Sequence, residues 1–301
     1  MAPLVQLDHV SKAYEQKVAV HDLNLRIEAG SMFGLLGPNG AGKTSSIRMM
    51  VGITVPDSGT VSLFGRTFTR ESLKKVGYLP EERGLYRKMK VMDQLIFMGQ
   101  LHGLSQDVAA RRSHAWCERL NILDAAQSKT EELSKGMQQK IQFIVTLLHD
   151  PELIIMDEPF AGLDPVNAAL LQDTLLDLKK AGRAILFSTH RMDQAERLCQ
   201  SICLINHGRV VLEGDLNQIK ARYGRSNVQI KYDGDARFLQ EPRLVLSFND
   251  YGNYVEVRLA PGADPQELLH LASANARLSK FELMEPSLEE IFLDMVGKTN
   301  A

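Results

Sequence analysis

A run of glycines followed by lysine and threonine is the segment of this sequence with the clearest chemistry. Residues 37–44 have the form G-x-x-x-x-G-K-[ST], the pattern of a phosphate-binding loop. Glycines let backbone N–H groups turn towards an anion, and a helix that begins here points its positive end at the same place. The lysine can reach the β- and γ-phosphates of a nucleotide, and the threonine can hold Mg²⁺. The residues expected to hold the nucleotide are Gly37, Pro38, Asn39, Gly40, Ala41, Gly42, Lys43, Thr44 and Ser45.

Two carboxylates at the end of a hydrophobic run supply the Mg²⁺ ligand and the catalytic base that the loop does not contain. Asp157 and Glu158 follow residues 153–156, a continuous apolar stretch typical of a buried parallel strand. Asp157 is predicted to organise Mg²⁺, and Glu158 to orient and deprotonate the attacking water. Phosphoryl transfer needs mainly positioning and charge neutralisation, and these side chains provide both.

Several predicted strands and helices must bring these residues together. Residues 32–36 form a short apolar strand before the loop, and residues 45–51 have a helical pattern after it. A second buried strand is predicted at residues 184–187. Alternation of apolar residues in 4–10 and 18–27 indicates a small antiparallel sheet beside this core. A glycine-rich turn that only precedes a helix is the ordinary alternative, and Lys-Thr in register after a strand argues against it.

Two further regions surround this core. Helical spacing of apolar residues from 91 to about 122, interrupted at a glycine, predicts a helical insert at about 89–135. Towards the end of the chain the pattern changes to three strands, a helix that begins at Pro265, another strand and a last helix. The sequence therefore predicts an α/β nucleotide-binding domain in residues 1–224 and a small α+β domain of order βββαβα in residues 225–301.

The composition is that of an ordinary globular protein. The chain has 301 residues, 44% of them hydrophobic and 24% charged, and its net charge of -2 gives no general attraction for nucleic acid. Its cysteines, Cys117, Cys199 and Cys203, form no CxxC pair, which favours buried thiols in a cytoplasmic protein. We find no signal peptide and no apolar run near the ~20 residues that span a bilayer. Any membrane role is therefore expected to come through a partner.

Further motifs make the sequence similar to a known family. Residues 133–138, LSKGMQ, resemble the LSGGQ signature of ABC-type ATPases, in the expected place before Asp157. Residues 162–164 resemble the D-loop of that family, and His190 stands where its switch histidine stands. The resemblance covers residues 4 to about 220. It implies a P-loop NTPase core of ABC type, with an antiparallel β subdomain and a helical insert.

The resemblance also implies that ATP and Mg²⁺ are bound at a site shared by two chains. Two such domains pair head to tail in the family, so that Ser134 and Gly136 of one chain face the ATP that Lys43 and Thr44 of the other chain hold. The signature precedes a helix, whose N-terminus can face a γ-phosphate. Loss of that contact on hydrolysis would open the pair.

Some of the implied roles have ordinary structural alternatives. Glu158 and His190 are the implied catalytic residues, but a histidine after an apolar strand is commonly a core residue. Tyr14, predicted to lie in a loop, is implied to stack on adenine, and ordinary packing is its alternative. Asp164 could cap a helix as well as serve the D-loop.

The sequence departs from the family pattern at three positions. Glu81 stands where the Q-loop has glutamine; it can still approach Mg²⁺ with Thr44 and Asp157, but it adds negative charge near phosphate. Lys135 stands where the signature has its first glycine, and Met137 where it has glutamine. Lys135 either adds a cation near the partner's ATP or points to solvent, and the sequence favours neither.

The last region indicates a subclass. Residues 285–292 resemble the C-terminal domain of bacterial ATP-binding subunits of the sodium-extrusion type, which serve exporters with separate permeases. This implies the ATPase subunit of an exporter, held at the inner face of the cell membrane by integral membrane permease subunits. A second ATPase subunit, a copy or a paralogue, is the other implied partner, and no nucleic acid is expected. In that family, the region after the Q-loop contacts the permease. Here it carries the basic residues Arg83, Arg87, Lys88 and Lys90, and a solvated basic face is the alternative interpretation.

Other functions remain open at this level. A soluble ABC-type ATPase that acts on ribosomes or DNA usually has two ATPase units or a long coiled coil, and neither pattern occurs here. A regulatory protein that binds ATP without turnover is disfavoured by Glu158. For the last domain, a role in dimerisation or regulation is a hypothesis that follows from its position after the ATPase.

Overall fold

The computed structural model describes residues 3–15, 17–82, 84–223 and 227–299. These form two units, Met1–Gly214 and Asp215–Ala301. The predicted boundary lay between residues 224 and 225, so the helix Leu216–Tyr223 falls in the second unit rather than in the first. Apolar periodicity shows that one face of a helix is buried, but it does not show which unit buries it.

The described part of the first unit contains two sheets and six α-helices. Its strands are β1 (Val5–Tyr14), β2 (Lys17–Ile27), β3 (Met32–Leu36), β4 (Ser58–Leu63), β5 (Arg66–Thr67), β6 (Val76–Leu79), β7 (Leu153–Asp157), β8 (Ala184–Thr189), β9 (Ser201–Asn206) and β10 (Arg209–Asp215). Its helices are α1 (Lys43–Met50), α2 (Val91–Leu101), α3 (Gln106–Arg119), α4 (Lys135–Leu147), α5 (Pro165–Lys180) and α6 (Met192–Leu198).

A six-stranded sheet with the order β10-β9-β3-β8-β7-β6 forms the centre of this unit. Strands β3, β7 and β8 are buried along their whole length, as their continuous apolar sequences predict. They run parallel, with Leu36 paired to Thr189 and Asp157 paired to Ser188. Because parallel strands end at the same edge of a sheet, the segments that follow β3, β7 and β8 meet there.

The predicted antiparallel sheet has the order β2-β1-β4-β5 and shares one hydrophobic core with the parallel sheet. Val5 and Leu25 are fully buried in that core together with Ile47 of α1. The prediction that Tyr14 lies in a loop is wrong. It pairs with Lys17 and is the last residue of β1, because the strand continues beyond the point where the alternation of apolar residues ends.

The helical insert consists of α2 and α3, which pack on α4. The predicted interruption between α2 and α3 is confirmed. Gly103 has a positive φ of 88°, and the hydroxyl of Ser105 accepts a hydrogen bond from the backbone N–H of Val108 at 3.4 Å, which caps α3. In the described part of the chain, no helix combines the length and the apolarity that a membrane crossing requires.

The second unit has the predicted order βββαβα, preceded by one helix. Its elements are α7 (Leu216–Tyr223), β11 (Asn227–Gly234), β12 (Val245–Asp250), β13 (Val255–Leu259), α8 (Pro265–Asn275), β14 (Ala276–Met284) and α9 (Leu288–Thr299). The sheet has the order β12-β13-β11-β14, and Val228 and Val257 are buried in its core with Leu268 of α8. Asp264 caps α8 by accepting a hydrogen bond from the N–H of Gln266 at 2.9 Å.

Candidate nucleotide-binding site

The glycine-rich loop leaves β3 at the common edge of the parallel strands and enters α1. Gly37 has a φ of 147° and Gly42 a φ of 111°, a region that side chains with a Cβ avoid. A Cβ on Gly37 would lie 2.1 Å from the carbonyl oxygen of Ile205, and a Cβ on Gly42 would lie 2.3 Å from that of Ala19. The loop therefore needs glycine at both positions for its backbone path and for its contacts.

Lys43 lies inside the loop rather than outside it. Its side chain is only 6% exposed, and its Nζ donates hydrogen bonds to the carbonyl oxygens of Gly37 at 2.8 Å and Pro38 at 3.2 Å. The same Nζ lies 3.7 Å from Oε1 of Glu158. The ammonium group thus sits between the backbone of the loop and the carboxylate at the end of β7.

Asp157 ends β7 with a buried carboxylate, of which one oxygen has a hydrogen-bond partner and the other has none among the described residues. Ser188 donates a hydrogen bond from its Oγ to Oδ1 of Asp157. Oδ2 is also buried, and it has no hydrogen-bond partner among the described residues. A buried carboxylate oxygen without a donor suits a cation, and Asp157 and Thr44 line the same cavity with the carboxylate and hydroxyl oxygens that Mg²⁺ accepts as ligands. Asp157 and Thr44 fit this ion.

Glu158 is fixed beside His190. The backbone N–H of His190 and its Nδ1 lie 3.1 and 3.0 Å from Oε1 of Glu158. Glu158 itself has a positive φ of 50°, and its N–H donates to the carbonyl oxygen of Ser188 at 3.2 Å. The side chain of His190 is 48% exposed, so the interpretation as a core histidine is wrong. The Glu158 carboxylate therefore contacts His190 and also lies close to the Lys43 ammonium group.

Most of these groups line one cavity of about 520 Å³, within the size range of small-molecule sites, but the predicted residues Gly37, Pro38 and His190 are not among its lining residues. It is lined by Tyr14, Lys17, Ala19, Asn39, Gly40, Ala41, Gly42, Lys43, Thr44, Ser45, Glu81, Asp157 and Glu158. Tyr14 is 43% exposed at the rim, with Nζ of Lys12 5.7 Å from its ring centroid. The sequence therefore identified most of the residues that the fold brings together.

Two lining residues were not predicted from the sequence. Lys17 and Ala19 lie at the start of β2, and Lys17 faces Tyr14 across the hairpin. Nothing in their own sequence marks them, because they reach the cavity only when the antiparallel sheet packs beside the loop. The pairing of β1 with β2 could have predicted Lys17, since it places this residue next to Tyr14, the predicted aromatic residue.

The predicted signature residues lie outside this cavity. Ser134 caps α4, where its hydroxyl accepts a hydrogen bond from the N–H of Met137 at 3.3 Å. Gly136 has Leu163 as its nearest neighbour, since a Cβ there would lie 3.6 Å from that side chain. Neither residue lines the space around Lys43, so a single chain holds the signature and the phosphate loop apart.

Asp164 acts as a helix cap, as one of its interpretations expected. Its Oδ1 accepts a hydrogen bond from the N–H of Asn167 at 3.0 Å, and the side chain of Asn167 donates to Oδ2 at 2.5 Å. Hydrogen bonds from the backbone and then the side chain of Asn167 hold the pKa of Asp164 below its usual value. The carboxylate is therefore kept charged at the start of α5, which Pro165 opens.

Comparison with known proteins identifies the family. A family model described as "ABC transporter" matches residues 20–161. The chain is 46% identical over 294 residues to the "Uncharacterized ABC transporter ATP-binding protein YhaQ" of Bacillus subtilis (strain 168), which covers 98% of this chain and 99% of that protein. The chain belongs to the ABC transporter ATP-binding proteins. It is therefore an ATPase that drives a membrane transporter and works with permease subunits.

Other matches extend the similarity over both units. A model described as "ATP-binding protein DrrA1-3-like, C-terminal domain" matches residues 214–296, so the predicted accessory domain is confirmed, and the match describes it as DrrA1-3-like. The "Linearmycin resistance ATP-binding protein LnrL" of Bacillus subtilis (strain 168) is 32% identical, over 98% of this chain and 99% of its own length. A solved structure titled "Structure of ATP binding subunit of ABC transporter" matches with a TM-score of 0.68 and 31% identity, over 73% of this chain and 93% of that one.

Proposed function

We propose that two ABC subunits of this kind, at least one of them this chain, close head to tail on ATP and Mg²⁺. Each ATP is held by the glycine-rich loop of one chain and covered by Ser134 and Gly136 of the other. The observation that carries this proposal is the separation of the two motifs within one chain. Ser134 is exposed at the N-terminus of α4, which can contribute partial positive charge to a phosphate only from a second molecule.

The charges in the cavity support a need for further positive charge. Glu81, Asp157 and Glu158 contribute three carboxylates to its lining, against the two ammonium groups of Lys17 and Lys43. A triphosphate adds several negative charges to this space. Mg²⁺ on Thr44 and Asp157, with Glu81 nearby, and the helix N-terminus of a second chain would balance them.

Each residue of the site has a role in this scheme. Thr44 and Asp157 would hold Mg²⁺, which would supply positive charge against the phosphates. Lys43 binds the same phosphates, and Glu158 accepts the proton of the attacking water. His190 keeps the Glu158 carboxylate oriented and contacts the γ-phosphate, and Tyr14 stacks on adenine.

Mixing two inactive variants tests the head-to-tail pair. Lys43→Ala removes the phosphate contact and should abolish hydrolysis, and Ser134→Ala removes the signature contact and should lower hydrolysis about tenfold or more. A mixed pair contains one intact site, built from Lys43 of one chain and Ser134 of the other. An equal mixture should therefore recover up to about a quarter of wild-type activity, since half of the pairs are mixed and each has one good site of two. A mixture as inactive as its components would refute a shared site between two copies of this chain.

We further infer that the transporter exports its cargo and that the subunit lies at the inner face of the membrane. Relatives support this by their names, for example the "Nod factor export ATP-binding protein I" of Rhizobium sp. (strain N33), 32% identical over 98% of this chain. A mixed apolar and basic surface is available for the permease. It consists of Tyr86, Phe97 and Leu101 with Arg87 and Lys88, all exposed.

Within that surface the rings of Tyr86 and Phe97 meet edge to face with centroids 5.9 Å apart. The predicted residue Arg83 lies outside the described residues. Affinity purification from detergent-solubilised membranes tests the assignment. Recovery of a permease that is lost in Phe97→Asp supports it, and recovery of ribosomes or DNA instead would favour the soluble alternative.

A further inference from the structure

Helix α4 carries two buried glutamines on the face that points to the cavity segments. Gln139 and Gln142 are three residues apart, so they lie on the same side of the helix. Nε2 of Gln139 donates a hydrogen bond to the carbonyl oxygen of Pro159 at 3.1 Å, and Nε2 of Gln142 donates to that of Glu82 at 3.2 Å. Polar side chains this deeply buried are uncommon in the absence of such bonds.

Each accepting carbonyl directly follows a carboxylate of the cavity. Pro159 comes after Glu158, and Glu82 comes after Glu81. The helix that Ser134 caps is thus bonded to both segments that bring these carboxylates to the nucleotide. A shift of α4 along its axis would therefore move both of these segments.

Of the two glutamines, Gln142 has a buried side-chain atom without a hydrogen-bond partner in the described part of the chain. Its Oε1 is buried and has no hydrogen-bond partner among the described residues. The opposite orientation of the amide would set Oε1 against the carbonyl oxygen of Glu82, two acceptors facing each other, so the donor must point to Glu82. A buried amide that satisfies its donor and leaves its acceptor without a partner destabilises the arrangement it is part of.

Another residue of α4 holds the strand that precedes Glu81. Oγ1 of Thr146 lies 2.9 Å from the carbonyl oxygen of Gln142 and 3.3 Å from that of Tyr78 in β6. The single hydroxyl hydrogen of Thr146 is shared between these two acceptors, so β6 contacts α4 through a group other than the Gln142 side chain. The Gln142 amide instead contacts the segment beyond the strand, which includes Glu81 and Glu82.

We propose that Gln142 is a positioning residue that fixes Glu81 relative to the signature helix. It couples the occupancy of the nucleotide cavity to the position of α4, through one hydrogen bond that can be made or released at low cost. This inference rests on the proposed role of Glu81 beside Mg²⁺ and phosphate. It assigns to Gln142 a role that acts through Glu81 and involves no contact with the nucleotide.

Gln142→Met tests the proposal, because methionine keeps the length of the side chain and removes both the donor and the unsatisfied oxygen. In the purified full chain we expect kcat for ATP hydrolysis to fall about three- to tenfold, with KM within about twofold. The urea midpoint should stay the same or rise, because the destabilising oxygen is gone. A fall of kcat together with a lower midpoint would indicate a structural role and overturn the proposal, and so would an unchanged kcat.

Ser113→Ala is the matched control. Ser113 lies in α3 with an Oγ that is likewise buried and without a partner among the described residues, and it lines neither the cavity nor the segments around Glu81 and Glu158. This variant should be as stable as wild type or more stable, with unchanged kcat. A kcat loss equal to that of Gln142→Met would show that any change of buried polarity has the effect, and would overturn the proposal.

A second background shows whether Gln142 acts through Glu81. In a Glu81→Ala chain there is no carboxylate to position, so Gln142→Met should change kcat by less than about twofold. Persistence of the full loss in that background would overturn the proposal. The shared ATP site is judged separately, by the mixture of Lys43 and Ser134 variants, so the two ideas can fail independently.

Discussion

The two sides of the proposed ATP site are built in different ways. On one side, Lys43 and Asp157 are buried and held by the loop backbone and by Ser188. On the other side, Ser134 is exposed and is held mainly by the cap that it forms on α4. In the proposed pair, the first side is complete within one chain, whereas the second acts on the other chain. Changes on the two sides should therefore differ in their effects on binding, hydrolysis and stability.

The largest effect is expected on the buried side. Glu158→Gln keeps the shape of the side chain and removes the base, so hydrolysis should fall by about 10²–10³-fold while ATP still binds. Without turnover the closed pair should accumulate on ATP, which size-exclusion chromatography with light scattering measures. The matched change Glu152→Gln, at an exposed ion pair with Lys75, should leave both readouts unchanged. Retained hydrolysis in Glu158→Gln would remove Glu158 from the mechanism.

A smaller effect is expected on the exposed side. Ser134→Ala removes a helix cap and a phosphate contact in the same step, so ATPase activity should fall about tenfold or more while the Kd for ATP of the single chain stays the same. The cap alone contributes ~1 kcal/mol to the free energy of unfolding.

Ser105→Ala is the control for the cap, because Ser105 makes the same kind of bond at the start of α3. It should lose a similar free energy of unfolding in urea and keep its ATPase activity. Equal losses of activity in the two variants would mean that Ser134 matters only as a cap.

A pH effect is expected away from both sides, where the helical insert meets the core. The rings of His102 and His149 stack with centroids 4.0 Å apart, and His149 lies 3.0 Å from the carbonyl oxygen of Val76. Burial, and then the neighbouring His102, lower the pKa of His149 to about 4. Arg112 also disfavours the protonated ring, and Asp150 favours it.

Because the folded state keeps His149 neutral, its contribution to stability is complete above the unfolded pKa of 6.5 and is lost as pH falls from there towards 4. After allowance for its partial exposure, we expect a loss of about 1–2 kcal/mol between pH 7.5 and pH 4.5. Urea unfolding at the two pH values measures it, with His149→Gln as the reference. An equal pH dependence in that variant would assign the effect to other groups.

The smallest effect is expected at the rim. Tyr14→Ala should raise the Kd for ATP about three- to tenfold by loss of a stacking surface, and Tyr14→Phe should restore wild-type affinity. Isothermal titration calorimetry gives both values. Tyr86→Ala, an exposed aromatic residue outside the cavity lining, is the control and should not change them. If Tyr14→Ala binds ATP with the wild-type Kd, the Tyr14 ring does not stack on adenine and serves only in packing.

Contiguous motifs explain why so much of the site was predictable. Residues 37–44 and Asp157 with Glu158 carry their structural context with them, a strand before and a loop or helix after. Parallel strands then bring the two motifs to one edge without further information. The helical interruption near Gly103 was predictable for the same reason, since a left-handed glycine and a serine cap are local signals.

The parts that were missed depend on contacts between distant segments. Gln139, Lys140 and Gln142 are polar and would be placed on the exposed face of an amphipathic helix, yet all three are buried. Each donates to a backbone carbonyl of another segment, and Lys140 does so to Leu120 at 2.9 Å. Lys17 reaches the cavity only through sheet packing. No periodicity within one segment can report such partners.

The close contacts of the glycine-rich loop have a thermodynamic consequence. Gly37 touches the backbone of β9 in the parallel sheet, and Gly42 touches that of β2 in the antiparallel sheet. Ala41 completes the junction, because its carbonyl oxygen accepts a hydrogen bond from the N–H of Gly208 at 2.9 Å. The loop therefore connects the two sheets in addition to forming the phosphate-binding surface. A ligand held there adds to the cohesion of those layers, by about 2.7 kcal/mol at a free concentration of about 100 times its Kd, so nucleotide supply and resistance to unfolding are linked in this chain.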